Sequence, residues 1–292
     1  MSGKRAVEMS FWDHLEELRW RLVRMVIYVA VAMALSWAFR NDLMWLLRYP
    51  AEAGAEIVGA EHFSFRIFEA PGGIILMMYV SLVAGAIIAS PLIFMELWLF
   101  VEPALEPGEK RWAVVMIPAA TGLFVAGVIF CYWISPRAFG FFLSFNRGLG
   151  APPELTLQPY LYLLMRLLLV FGLSFELPLV LMFLARVGLV TKAQLLRFWR
   201  HAIVIIFVFA AIATPTTDPL TFSFLAAPMI GLYALSILLC GLVEKRRRED
   251  EEGEQGEPDR DPAEGLSEPP PAPLDDVIDA DDIARKTGPP GS

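Results

Sequence analysis

The chain has 292 residues, is 56% hydrophobic and carries a formal net charge of -8. A water-soluble fold of this length has no single core large enough for so much apolar surface, which excludes an ordinary soluble globular protein. The charge is uneven: from Glu249 onward there are fifteen acidic residues against three basic ones (Arg260, Arg285 and Lys286), so the apolar body is net positive by four and only the tail is acidic.

The first informative element is the charge-dense stretch from Phe11 to Arg24, which reads as an amphipathic helix running directly into the apolar run 22–39. Five basic residues (Lys4, Arg5, Arg19, Arg21 and Arg24) precede or open that run, and Trp37, Phe39 and Arg40 stand where a cleavage site would need small residues. The run is therefore read as a retained spanning helix rather than a cleaved signal peptide. Further candidates follow at 74–101, 112–135, 160–185, 202–213 and 220–243.

Charge decides between five and six spans. With six spans and a cytoplasmic amino terminus, fifteen Lys and Arg residues fall inside and five (Arg40, Arg48, Arg66, Arg137 and Arg147) fall outside, a strong positive-inside bias. The expected organisation is thus a cytoplasmic amphipathic helix over 1–21, a six-helix membrane domain over 22–243 and an acidic disordered cytoplasmic tail over 244–292. The fifth run, 202–213, covers only about 18 Å against about 30 Å of hydrocarbon, so it is expected to thin the bilayer or to borrow flanking residues. The outer segment 40–73, broken by Pro50, Gly54 and Gly59, reads as short surface helices. The outer segment 136–159 opens on Phe139, Phe141, Phe142 and Phe145, suited to an interfacial anchor.

Enzymatic chemistry finds little support. The three histidines (His14, His62 and His201) form no HExxH pair, there is no phosphate-binding glycine loop, and Ser174 has no base within a span. Cys131 and Cys240 lie inside apolar runs and read as small core residues. Neither catalysis, a cofactor nor a bound metal is expected. The polar residues inside the spans are more informative. Glu176, near the middle of the fourth run and two residues before Pro178, points to a polar concavity at membrane depth. Glu96 lies near the inner end of the second run, and Arg166 is placed to snorkel from the fourth.

At the cytoplasmic edge, His14, Glu17, Leu18 and Arg21 share one helical stripe. Glu109 follows Pro107-Gly108 in the first turn of the third span, where a carboxylate is favoured. Two carboxylates at that edge are suited to grip two guanidinium groups, each bidentately.

Four motifs in order then resemble one family. His14-Leu15-Glu16-Glu17-Leu18-Arg19-Trp20-Arg21-Leu22, the segment from Pro91 to Arg111 with Trp98, Phe100, Pro103, Leu105 and Glu109, Phe171-Gly172-Leu173-Ser174-Phe175-Glu176-Leu177-Pro178, and Thr214-Pro215 with Asp218-Pro219 are similar to the signatures of TatC, the multi-spanning subunit of the twin-arginine protein translocase. The resemblance covers about residues 12–243 and implies an all-α, six-span protein of the cell inner membrane. It implies a receptor for paired-arginine signal peptides that works with TatA- and TatB-type single-span partners in an oligomeric complex. That system moves folded proteins across the membrane on the proton-motive force. By the same resemblance, Glu17 and Glu109 would bind the arginine pair. Arg19, Phe100 and Lys110 would shape that site, Glu176 would face the concave side, and Pro50 and Asp218 would shape the outer loops. Two positions depart from the family: Glu96 stands where Gln is usual, and Phe222 where many members carry a polar residue. The competing reading is a proton-coupled secondary transporter of a small solute with Glu176 as relay, and the isolated polar positions give it no continuous path.

Overall fold

A computed structural model describes residues 11–60, 63–66, 72–101, 110–148, 154–213 and 219–255. One compact unit runs from Met1 to Arg247 and a second begins at Arg248. The helices are α1 (Phe11–Ala38), α2 (Arg40–Ile57), α3 (Gly72–Val101), α4 (Lys110–Gly148), α5 (Leu157–Phe175), α6 (Leu177–Arg186), α7 (Lys192–Ala213) and α8 (Pro219–Gln255). Two three-residue strands, β1 (Ser64–Arg66) and β2 (Glu154–Thr156), pair in parallel, with Phe65 opposite Leu155. Six described segments are long and apolar enough to cross a membrane: His14–Ala38, Gly72–Val101, Val115–Phe145, Leu157–Arg186, Lys192–Ala213 and Leu225–Lys245. The chain is a multi-pass, all-α membrane protein.

The bundle is built on close helix approaches. α1 lies along α3, and α4 lies against both α2 and α5. A Cβ at Gly85 of α3 would come within 2.6 Å of the Met33 backbone nitrogen on α1. One at Gly172 of α5 would meet the Phe124 ring of α4 at 2.7 Å, and Gly127 of α4 faces the Phe171 carbonyl just as tightly. With no hydrophobic drive between helices inside lipid, backbone proximity of this kind supplies the dispersion contacts that hold them. The largest core cluster, including Val80, Leu161, Leu164, Met165 and Phe171, fills the space where α3, α4 and α5 meet. The many exposed apolar residues of α1 and α7, such as Val26, Val31, Ile205 and Ile212, are the expected surface of a lipid-facing helix.

The amphipathic start and the first apolar run form one helix, α1, continuous to Ala38 because no proline or glycine interrupts it. Several helix bounds differ from the sequence reading. The fifth span is 22 residues long, not 12. Of the two expected ways to cross, it takes the second, borrowing Lys192 to His201 as its first turns and so reaching about 33 Å. The segment after Ser135 is not a loop, since α4 continues through Pro136 to Gly148. The last helix extends beyond residue 243 to Gln255, and residues 256–292, the remainder of the predicted acidic tail, lie outside the described residues.

The described residues of the segment 40–73 also differ from a set of short helices. α2 runs unbroken through buried Pro50. Proline lacks the N–H that would bond the carbonyl four residues earlier, here that of Leu46. The Tyr132 hydroxyl donates to the Leu46 oxygen at 2.9 Å instead. Tyr160 donates to the neighbouring Leu47 carbonyl at 2.7 Å. Two tyrosines from the spans therefore fasten α2 across the bundle, and the β1–β2 pair ties the same cap to the start of α5.

Candidate functional site at the end where α1 begins

Helical spacing puts Glu17, Arg21, Arg24 and Tyr28 on one stripe of α1 (i, i+4, i+7, i+11), and that stripe meets the last turns of α3. Arg21 donates through Nε to Glu17 Oε1 at 2.9 Å and makes a second, shorter contact to the same oxygen through Nη2. Its Nη1 reaches Glu96 Oε2 at 3.2 Å and the Glu96 carbonyl at 3.5 Å. Arg24 Nη1 lies 3.2 Å from Glu96 Oε1, and the Tyr28 hydroxyl donates to the same oxygen at 3.2 Å. Glu96 is only 1% exposed. A carboxylate so buried costs several kcal/mol if unpaired, and two guanidiniums with a phenol offset that cost.

One oxygen in this network remains open. Glu17 Oε2 is buried and has no hydrogen-bond partner among the described residues; the His14 imidazole stands 3.9 Å away, too long for a hydrogen bond. The His14 ring is itself stacked on Phe100 at 4.4 Å between centroids and 16° between planes. Phe100, more than eighty residues away in sequence, is thereby brought to His14 and Glu17 on α1. A second aromatic contact, Trp98 edge-on to Phe183 at 5.0 Å, brings the end of α6 to the same end of the bundle.

Other expected residues are placed differently. Arg19 lies about 200° around α1 from Glu17, is exposed, and sits over the Trp20 ring at 5.9 Å; it does not join Glu17. Lys110 opens α4, but nothing of its side chain is described. Glu109 and Asp218 lie outside the described residues. Glu96, expected as a polar residue near the inner end of its span, is the buried centre of the ion-pair network. Arg24 and Tyr28 were not singled out from sequence, although their spacing from Glu17 and Arg21 carries the signal.

Glu176 forms a separate feature. It occupies the junction of α5 and α6, its N–H bonding the Leu173 carbonyl at 3.1 Å, a tightened turn forced by the missing donor of Pro178. The side chain is 8% exposed, and its Oε1 has no partner among the described residues. It is thus a buried polar group at the break between α5 and α6, within the apolar segment Leu157–Arg186. Pro50, by contrast, is a buried helix residue of α2.

Comparison with known proteins agrees with this architecture. The family model described as Sec-independent protein translocase protein (TatC) matches residues 13–228. The TatC of Desulforapulum autotrophicum is 37% identical, over 83% of this chain and 88% of that protein. The TatC of Campylobacter jejuni is 35% identical, over 82% and 97%. A chloroplastic TATC of Arabidopsis thaliana is 35% identical, over 77% of this chain and 64% of its own length. A crystal structure of a twin arginine translocase receptor, TatC, superposes with a TM-score of 0.70 at 33% identity, covering 79% of this chain and 99% of that one. With six segments of spanning length and a match over most of its length, the chain belongs to the TatC family of protein translocase components.

Proposed function

We propose that this protein is the receptor and core subunit of a twin-arginine translocation system, binding signal peptides that carry two consecutive arginines. The carrying observation is Glu17: its carboxylate is fixed by Arg21 through one oxygen, and the other oxygen is buried with no hydrogen-bond partner among the described residues. A guanidinium donates two parallel N–H groups and is the ligand chemistry that completes such an acceptor. Among the described residues the cluster is charge-balanced, with Glu17 and Glu96 against Arg21 and Arg24. A dicationic motif therefore calls for a further carboxylate, and Glu109, immediately before Lys110 of α4, is the candidate for its second arginine. Phe100 and Lys110 border this site.

In this reading both termini are cytoplasmic, following the distribution of Lys and Arg, and the protein resides in the inner or plasma membrane. Residues 22–243 form the working membrane domain. TatA- and TatB-type single-span proteins are the partners, with Glu176 on the surface that receives a partner or signal-peptide helix. Transport of folded cargo draws on the proton-motive force.

The test is site-specific crosslinking and equilibrium binding of a paired-arginine peptide to the membrane-embedded protein, with a paired-lysine peptide as control. Glu17→Ala and Glu109→Ala should each weaken arginine-peptide binding roughly tenfold or more, the loss of one charge-assisted pair. Undiminished binding in both variants refutes the site.

A further inference from the structure

Resting on the assignment of Glu17 as a ligand carboxylate, we propose that Glu96 is a positioning residue for the arginine site: it is the alternative anchor onto which Arg21 transfers when an incoming guanidinium takes Glu17.

Any cation arriving at Glu17 meets a competitor already in place. Arg21 holds Glu17 Oε1 through two of its nitrogens, and its side chain is only 11% exposed. A guanidinium that buried cannot be released to water. If Glu17 were its sole counter-charge, ligand entry would leave two cations sharing a single negative charge, which is unfavourable at low dielectric. Glu96 removes the conflict. It already accepts Arg21 Nη1 at 3.2 Å through Oε2 and at 3.5 Å through its carbonyl, so transfer needs a small rotation about the guanidinium and no new approach of helices.

Glu96 also has capacity to spare. Its other donors are Arg24, whose side chain is 48% exposed and can turn to water, and the neutral Tyr28 hydroxyl. Only Arg21 is bound to depend on it. Among the described residues, the remaining polar group beside Glu17 is His14, 3.9 Å from the open oxygen, which presents no competing carboxylate. A glutamine at 96 would keep the shape and one acceptor oxygen but lose the charge that balances Arg21, and its amide N–H₂ would face a cation.

The experiment uses the full chain in lipid nanodiscs and a fluorescent peptide with two consecutive arginines, with size-exclusion profiles confirming that each variant is folded. E96Q should weaken binding roughly tenfold, the scale of one charge-assisted hydrogen bond, and E96D, which keeps the charge, should stay near the unmodified protein. The decisive variant is E96Q/R21Q. With the competitor removed, Glu17 is free, and most of the lost affinity should return. A role for Glu96 only in tying α1 to α3 gives the opposite result, because the double variant removes more of the tether. The proposal is overturned if E96Q binds like the unmodified protein or if E96Q/R21Q binds no better than E96Q. E17A separates the two levels: unchanged binding in E17A refutes the arginine site itself, whereas weakened E17A with unchanged E96Q refutes the anchor alone.

Discussion

Replacing Gly85 by alanine is the sharpest test of how the bundle is held. The added methyl would lie 2.6 Å from the Met33 nitrogen, 2.8 Å from the Met33 Cα and 3.0 Å from the Ala32 carbonyl carbon. All three are backbone atoms of α1, so no rotamer change relieves the contact. Restoring an ordinary separation of about 3.4 Å requires α1 and α3 to part by about 0.8 Å, and overpacking of this kind costs about 1–3 kcal/mol. Alanine also gains helix propensity of about 1 kcal/mol over glycine, which clouds the sign for one variant alone. Gly122→Ala supplies the reference: it is the same chemical change in α4, where nothing lies within 4 Å of the new methyl. Subtracting one from the other cancels propensity and leaves the clash, about 2 kcal/mol. At about 2–4 °C per kcal/mol for a protein of this size, Gly85→Ala should melt about 4–8 °C below Gly122→Ala in detergent-solubilised thermal unfolding followed by fluorescence-detected size exclusion. Equal melting temperatures would show that α1 and α3 are not in backbone contact, and the placement of Glu17 against α3 would fall with that result.

Two further outcomes follow from the same geometry. Tyr132→Phe removes the donor to the Leu46 carbonyl and should cost about 1 kcal/mol; adding Pro50→Ala restores the missing backbone N–H, so the double variant should recover that loss in a thermal-melt mutant cycle, and strict additivity would refute the assignment. Glu176→Leu should raise thermal stability by about 1–3 kcal/mol, since it replaces a carboxyl whose buried Oε1 has no hydrogen-bond partner among the described residues by an apolar group, while lowering export of a paired-arginine reporter; a variant that is less stable than the unmodified protein contradicts the view that Glu176 is kept for function at the expense of packing.

Much of this protein is written in one dimension. Hydrocarbon runs of spanning length, the Lys and Arg asymmetry and the isolated Glu176 before Pro178 are local properties, and a bilayer filters them one segment at a time. The number of spans was therefore legible without any tertiary information, as was the stripe that carries Glu17 and Arg21. Helix ends were less so. The fifth span begins at Lys192 because an α-helix extends through polar residues as readily as apolar ones once its hydrogen-bond ladder is running, and apolarity alone does not mark its first turn. Pro50 and Pro136 were read as interruptions, yet both lie inside helices. For Pro50 the repair is visible: the carbonyl it leaves free is satisfied by Tyr132, eighty-six residues downstream along the chain.

The site divides along the same line. The sequence by itself determined which residues at the amino end of α1 share a face, since that needs only the 3.6-residue turn. Only the tertiary structure decided what the face meets: Glu96 became the buried counter-charge of Arg21 and Arg24, Phe100 came to rest on His14, and Arg19 was left on the outer side of the helix. The physical reason is that burial and charge balance depend on distances between helices, and here those distances are set by glycines such as Gly85, whose missing side chain gives no signal until the partner backbone lies against it.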